Sequence, residues 1–212
     1  MKTRSLPLIF IFITFCSFLT VQAQQSEWVS LFDGESLKGW KASENPETFS
    51  VEDGKIKVAG PRAHLFYVGP VENHNFDDFE FKAQVMTKPK ANSGMYIHTE
   101  YQEEGWPSKG YEIQVNNSHT DWRRTGSLYA IDDVREVHVA DNKWYTEHII
   151  VKGNRITVKI NDEVVVDYIE PEGAKRDNGM AGRKLSSGTV ALQGHDPGSV
   201  VYYKNVMVRT LD

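Results

Sequence analysis

Residues 92–116, NSGMYIHTEYQEEGWPSKGYEIQVN, hold two segments in which apolar and polar side chains alternate: Met95-Tyr96-Ile97-His98, and Tyr111-Glu112-Ile113-Gln114-Val115-Asn116. A period of two marks a β-strand with one face buried, because successive side chains point to opposite faces of a sheet. With Met95, Ile97, Ile113 and Val115 turned inward, Tyr96, His98, Glu112, Gln114 and Asn116 share the other face. That face is a polar platform with one carboxylate, one imidazole, a phenol and two amides. An acidic, aromatic-bearing loop from Glu100 to Lys109 joins the two strands and is long enough to bring Trp106 over the platform.

The same period extends in both directions. Ser50-Val51-Glu52 and Lys55 to Val58 flank Asp53-Gly54, a pair that tolerates the positive φ angles of a tight hairpin. Phe79, Phe81, Ala83 and Val85 alternate with Glu80, Lys82 and Gln84. Trp144 to Tyr168 reads as a three-stranded meander with turns at Gly153-Asn154 and Asn161-Asp162. Two strands close the chain, Gly188 to His195 and Val200 to Leu211, and the Gly-, Lys- and Arg-rich stretch from Glu170 to Ser187 reads as a long solvated loop. About eleven or twelve short strands with frequent turns and almost no helical periodicity predict an all-β fold. A two-sheet jelly-roll β-sandwich fits that count, since two packed sheets let each strand bury one face.

At the amino terminus Lys2 and Arg4 precede an apolar run, Leu6 to Val21, and a small-residue pattern ending at Ala23. This predicts a signal peptide over 1–23 and a single domain over 24–212. The product is then exported, periplasmic or extracellular, with a lipid-anchored form ranked below a free one because Phe15 is bulky for a lipoprotein signal. No later stretch has the roughly 20 apolar residues of a spanning helix. Cys16, the one cysteine of the chain, lies in the signal segment, so the remainder offers neither disulfides nor thiol chemistry. The whole chain's 24 Lys and Arg against 29 Asp and Glu, with no basic cluster, argue against nucleic acid as a partner.

If the strand Val190-Ala191-Leu192-Gln193-Gly194-His195 neighbours the opening pair, Gln193 and His195 join Glu112, Gln114 and His98 on one surface. Glu112 carries the strongest case for a site role, because amides two residues away on the same face orient a carboxylate and a sugar hydroxyl together. His98 and His195 are acid–base candidates near neutral pH, each with the plainer reading of a hydrogen-bonded strand-end histidine. Tyr96, Trp106 and Tyr129 can stack on a sugar ring, and Arg124 or Arg123 can meet an oxyanion. Nothing matches a metal signature, a nucleophile elbow or a dinucleotide fingerprint. Paired carboxylates, which ordinary glycosidases use, are absent from the Glu112 strand, where Gln114 stands instead.

The order and spacing of FDG with SLKGW, NSGMYIH, GYEIQV, TGSLY, WYTEHIIVKGNRITVKINDEVVVDY and GTVALQGH resemble the 3-keto-disaccharide hydrolase family from about Trp28 to Leu211. The resemblance implies a concanavalin- or LamG-like jelly roll acting on glycosides already oxidised to a ketone at C3. It implies removal of the C2 hydrogen, elimination at C1 and rehydration, with Glu112 or His98 as base, Gln114, Gln193 or an Arg at the oxyanion, and His195 or Tyr129 at the leaving group. The partner is a small carbohydrate or glycoside. No cofactor is assigned, and a divalent metal is compatible with the chemistry but unplaced. A noncatalytic carbohydrate-binding module is the rival reading, and a two-carboxylate glycosidase ranks third.

Overall fold

Alternation resolves into thirteen antiparallel strands among residues 26–177 and 179–211, which the computed structural model describes. The expected signal segment lies outside them. The strands are β1 (Val29–Ser30), β2 (Trp40–Ala42), β3 (Phe49–Glu52), β4 (Lys55–Ala59), β5 (Ala63–Tyr67), β6 (Phe79–Thr87), β7 (Ser93–Thr99), β8 (Tyr111–Val115), β9 (Tyr145–Lys152), β10 (Arg155–Ile160), β11 (Glu163–Ile169), β12 (Thr189–Gly194) and β13 (Val200–Thr210). One sheet has eight strands in the order β11-β10-β9-β6-β13-β4-β3, with β1 also on β13; the other has the order β2-β5-β12-β7-β8. Asp53 and Gly54 both take positive φ at the β3–β4 turn, as the hairpin reading requires.

The two sheets share one core. Phe79, Phe81 and Val85 of β6 and Ile149 and Val151 of β9 belong to the same buried cluster as Leu65, Met95, Ile97, Ile113, Val115 and Leu192 of the smaller sheet. Each such side chain contributes on the order of 1.5–3 kcal/mol by leaving water. The sheets differ in what covers their far faces. Strands β6, β9 and β10 alternate between buried and partly exposed positions. Along β5, β7, β8 and β12 every residue is buried. The platform is therefore roofed by loops rather than open to solvent.

Two local departures from regularity shape that face. Between Thr189 and Ala191 the β12–β7 register slips: Thr189 pairs Thr99 while Ala191 pairs Tyr96, so β7 carries one extra residue there. His98 absorbs it with φ +52. The space around the bulge admits no side chain, since a Cβ at Gly110 would stand 2.1 Å from the Ile97 carbonyl and one at Gly188 2.3 Å from the Thr99 carbonyl. At the outer edge of β8, the segment 125–129 closes the strand with backbone hydrogen bonds: Gly126 N–H donates to Gln114 O, Ser127 O accepts from Gln114 N–H, and Tyr129 N–H donates to Glu112 O.

Glu147 on β9 points into the core, fully buried with neither carboxylate oxygen hydrogen-bonded. Burial pushes its pKa well above the ordinary 4.5. The folded chain thus keeps a proton that the unfolded chain releases, and stability falls as pH rises above about 4.5. Replacing Glu147 with Met removes both the desolvation cost and this slope. Urea unfolding at pH 5 and pH 8 should show Glu147→Met more stable than the parent by about 1–3 kcal/mol, with a gap that widens at the higher pH. Parallel stability–pH curves would contradict a buried neutral carboxyl.

Candidate functional site

Glu112 stands opposite Tyr96 in the β7–β8 ladder, and Gln114 stands opposite Gly94. On the other side of β7, β12 pairs Ala191 with Tyr96 and brings Gln193 onto the same face. The carboxylate is 5% exposed and is met from three sides. Tyr96 Oη donates to its Oε2 at 2.9 Å, Gln193 Nε2 donates to its Oε1 at 2.9 Å, and Arg183 Nη2 lies 3.3 Å from Oε2. Gln193 Nε2 also reaches Tyr96 Oη at 3.1 Å, and Gln114 Nε2 donates to Asn92 Oδ1 at 2.9 Å. Burial beside the Glu112 charge pushes the Tyr96 phenol well up, so it stays a donor.

Gly94 gives Glu112 its place. A Cβ there would lie 3.0 Å from Glu112 Oε1 and 3.1 Å from its Cγ, so the carboxylate rests directly on the bare backbone of the neighbouring strand. Such close approach is a common reason for a glycine within a strand.

Three loops close the walls. Trp106, Pro107 and Ser108 come from the loop after β7, Tyr129 from the segment that caps β8, and Gly179, Met180 and Arg183 from the stretch before β12; the cleft between them holds about 300 Å³, at the lower end for a small-molecule site. The first and third loops are joined to each other. Lys109 and Gly182 form a parallel bridge, Gly110 N–H donates to Gly182 O, and a Cβ at Gly182 would fall 1.9 Å from Ser108 O. The third loop is tied to the large sheet as well, since Glu170 pairs with Arg176 at 3.1 Å and accepts from Leu185 N–H, while Arg176 Nε donates to the Arg183 carbonyl at 2.6 Å.

Of the residues the sequence singled out, Tyr96, Trp106, Glu112, Gln114, Tyr129, Gln193 and His195 line this one cleft. His98 does not. The β7 bulge turns it away from Glu112, and its Nε2–H donates to the Asp77 carbonyl at 2.9 Å while Nδ1 accepts from Ser186 N–H at 3.2 Å. Its ring packs against Phe79, and burial lowers its pKa. Arg124 is also displaced from the expected role: one terminal nitrogen serves Asn116 Oδ1 and the carbonyls of His119 and Asp121, which ties a loop together. The solvated reading of 170–187 is corrected too, because Arg176 and Arg183 have side chains only 9% and 14% exposed.

Arg183 is the residue that sequence reasoning missed, lying 71 positions from its partner Glu112 in a stretch without periodicity. His64 was missed for another reason. It pairs with Gln193 across β5–β12, and its ring packs edge-on to Tyr96 and Trp106. Neither of its nitrogens is partnered, and burial pushes its pKa down to about 3. Alternation around Leu65 would have placed it on the platform. His195 sits at the cleft wall with Trp106 at 5.3 Å and Nδ1 held by Asp196 Oδ2 at 2.8 Å. Three buried atoms at the cleft, Gln114 Oε1, Gln193 Oε1 and Arg183 Nη1, have no partner. No cluster of three or more His, Cys, Asp or Glu side chains suited to a metal ion occurs among the described residues.

A jelly-roll sandwich whose covered sheet face presents amides, an arginine and one carboxylate between aromatic walls has the groups with which proteins meet sugar hydroxyls and ring faces. The chain belongs to the 3-keto-alpha-glucoside-1,2-lyase-like domain family, whose pattern matches residues 27–209. Its fold is similar to that of a candidate glycosyl hydrolase from Parabacteroides distasonis (24% identity, TM-score 0.72, covering 87% of this chain and 94% of that one). It also resembles the carbohydrate binding module CBM66 from Bacillus subtilis (13%, 0.58, 81% and 96%) and SCLam, a non-specific endo-beta-1,3(4)-glucanase (12%, 0.57, 89% and 91%). At these identities the likeness is one of fold. No curated protein sequence matches it.

Gly94→Ala tests the seat of the carboxylate. The added methyl must push Glu112 out of its donors, so sugar affinity or turnover should fall at least about tenfold while the fold loses only about 1–3 kcal/mol, the scale of local overpacking. Unchanged function in a folded Gly94→Ala protein would show that Glu112 need not sit there.

Proposed function

We propose that the chain is an exported enzyme that cleaves 3-keto-glycosides by elimination and rehydration. The observation that carries this reading is the charge pattern of the cleft. Glu112 is the one carboxylate among its described lining residues, and Arg183 lies against it. A double-carboxylate hydrolysis needs a second acid across the bond. A ketone at C3 changes the requirement, because it acidifies the C2 hydrogen and leaves the enolate oxygen as the charge to be stabilised.

The proton balance can be followed through both halves. Glu112 takes the C2 hydrogen, and negative charge moves from its carboxylate to the C3 oxygen. Arg183, with Nη1 unpartnered, and Gln114, whose Nε2 keeps one hydrogen beyond the one given to Asn92 Oδ1, are the donors for that oxygen. As the C1–O bond breaks, the departing oxygen takes a proton from the His195 imidazolium, whose other nitrogen is held by Asp196. Water then adds across the C1–C2 double bond. His195 receives the proton of the water that attacks C1, and Glu112 returns its proton to C2. Both groups end as they began, and the net reaction is hydrolysis. Trp106 and Tyr129 supply ring faces for the sugar.

One feature favours binding without cleavage: both oxygens of Glu112 already accept hydrogen bonds, so a C2 hydrogen must compete with a donor to reach either. Purified protein given a 3-keto-glucoside and its unoxidised parent separates the readings. Release of the aglycone from the keto form alone is expected. Binding of both with release from neither points to a carbohydrate-binding module, and equal cleavage of the parent sinks the elimination route.

Glu112→Gln keeps the shape and removes the base. Turnover of the keto substrate should drop by about 10²-fold or more with sugar binding largely kept. Full activity in this variant would move the base elsewhere.

A further inference from the structure

A second groove adjoins the cleft on the far side of Met180, which lines both. Its walls come from Ala130 and Ile131, from Tyr168 and Ile169 at the end of β11, and from the 171–180 loop, around a space of about 480 Å³. Ile169 is 58% exposed there, an unusual position for so large an apolar side chain. Tyr129 and Arg183, which line the cleft, are joined to this region by short connections: Tyr129 immediately precedes Ala130, and Arg183 N–H donates to the Met180 carbonyl.

The two spaces differ in chemistry. The cleft presents Asn92, Gln114, Gln193, Ser108 and Glu112, the donors and acceptors that sugar hydroxyls need. Among the groove's described lining residues there is no amide or aliphatic hydroxyl side chain; besides apolar groups it offers a tyrosine, Lys175, Arg176 and Asp177. Arg176 is already engaged by Glu170 and Tyr168. A second sugar ring placed there would leave most of its hydroxyls to water. A flat aromatic ring would meet Ile131, Ile169, Pro171 and the Met180 thioether over its faces, with cationic groups at the rim.

We infer that this groove receives an aryl aglycone, so that the glycosides handled at the adjoining cleft carry an aromatic leaving group. The inference rests on reading the cleft as the sugar pocket. It accounts for an exposed Ile169 beside the site and for Met180 at the junction, where the glycosidic oxygen would pass between ring and aglycone.

Calorimetric titration of the full chain with 4-nitrophenyl glucoside, methyl glucoside and a glucosyl-glucose disaccharide, each in native and 3-keto form, tests it without requiring turnover. The aryl glycoside should bind at least about tenfold more tightly than the methyl glycoside, about 1.4 kcal/mol, and more tightly than the disaccharide. Ile169→Asp, at an exposed position, should abolish that advantage and leave methyl glucoside affinity within about twofold. Lys175→Glu, also at an exposed position, should weaken only the aryl ligand. Equal binding of aryl and methyl glycosides, a preference for the disaccharide, or variants that weaken all ligands alike would overturn the groove assignment. Cleavage of the keto forms is scored separately. Keto cleavage without an aryl preference removes the groove and leaves the reaction, whereas an aryl preference without keto cleavage removes the reaction and leaves the groove.

Discussion

A carboxylate buried at Glu112 must be met by donors, and much of the smaller sheet's outer architecture answers that demand. Strand pairing alone supplies two of them, Tyr96 from β7 and Gln193 from β12. The third, Arg183, has to be carried in by a loop that no strand holds. Breaking a buried ion pair by removing one partner is far costlier than exchanging a surface charge, so the loop's anchors at Glu170 and at the Lys109–Gly182 bridge bear on the cleft even though they do not line it.

Glu147 shows what happens to a carboxyl without that provision. It lies on the opposite sheet, deeper in the core, with no donor at either oxygen. Desolvation then settles its state by keeping it neutral. The two residues are chemically alike and both are buried. Their environments alone set one carboxyl among three donors and leave the other a neutral acid with none.

How much of this was legible in the sequence depended on period. The meander from β9 to β11, the Asp53-Gly54 hairpin and the faces of β7 and β8 could be read because alternation and turn residues are local signals. His98 defeated the same rule, since a bulge inserts one residue without disturbing the look of the alternation. The pairing of Thr189 with Thr99 and of Ala191 with Tyr96 exposes it only once the strands are side by side. His64 alternates with Ala63 and Leu65, but that signal is faint on a strand buried along both faces, where period carries little contrast. Arg183 had no signal at all, because its partner is chosen by loop packing rather than by any repeat.

The cap over β8 has a consequence for how the protein behaves in company. A sheet edge with free backbone groups is a template for another strand, and the edge that carries Glu112 would otherwise be one. Segment 125–129 occupies those groups with hydrogen bonds from its own chain, so β8 cannot recruit a foreign strand without first shedding Tyr129 from the cleft wall. Amides of β8 are therefore sheltered from exchange with water on both sides, and self-association through this edge is tied to loss of the site.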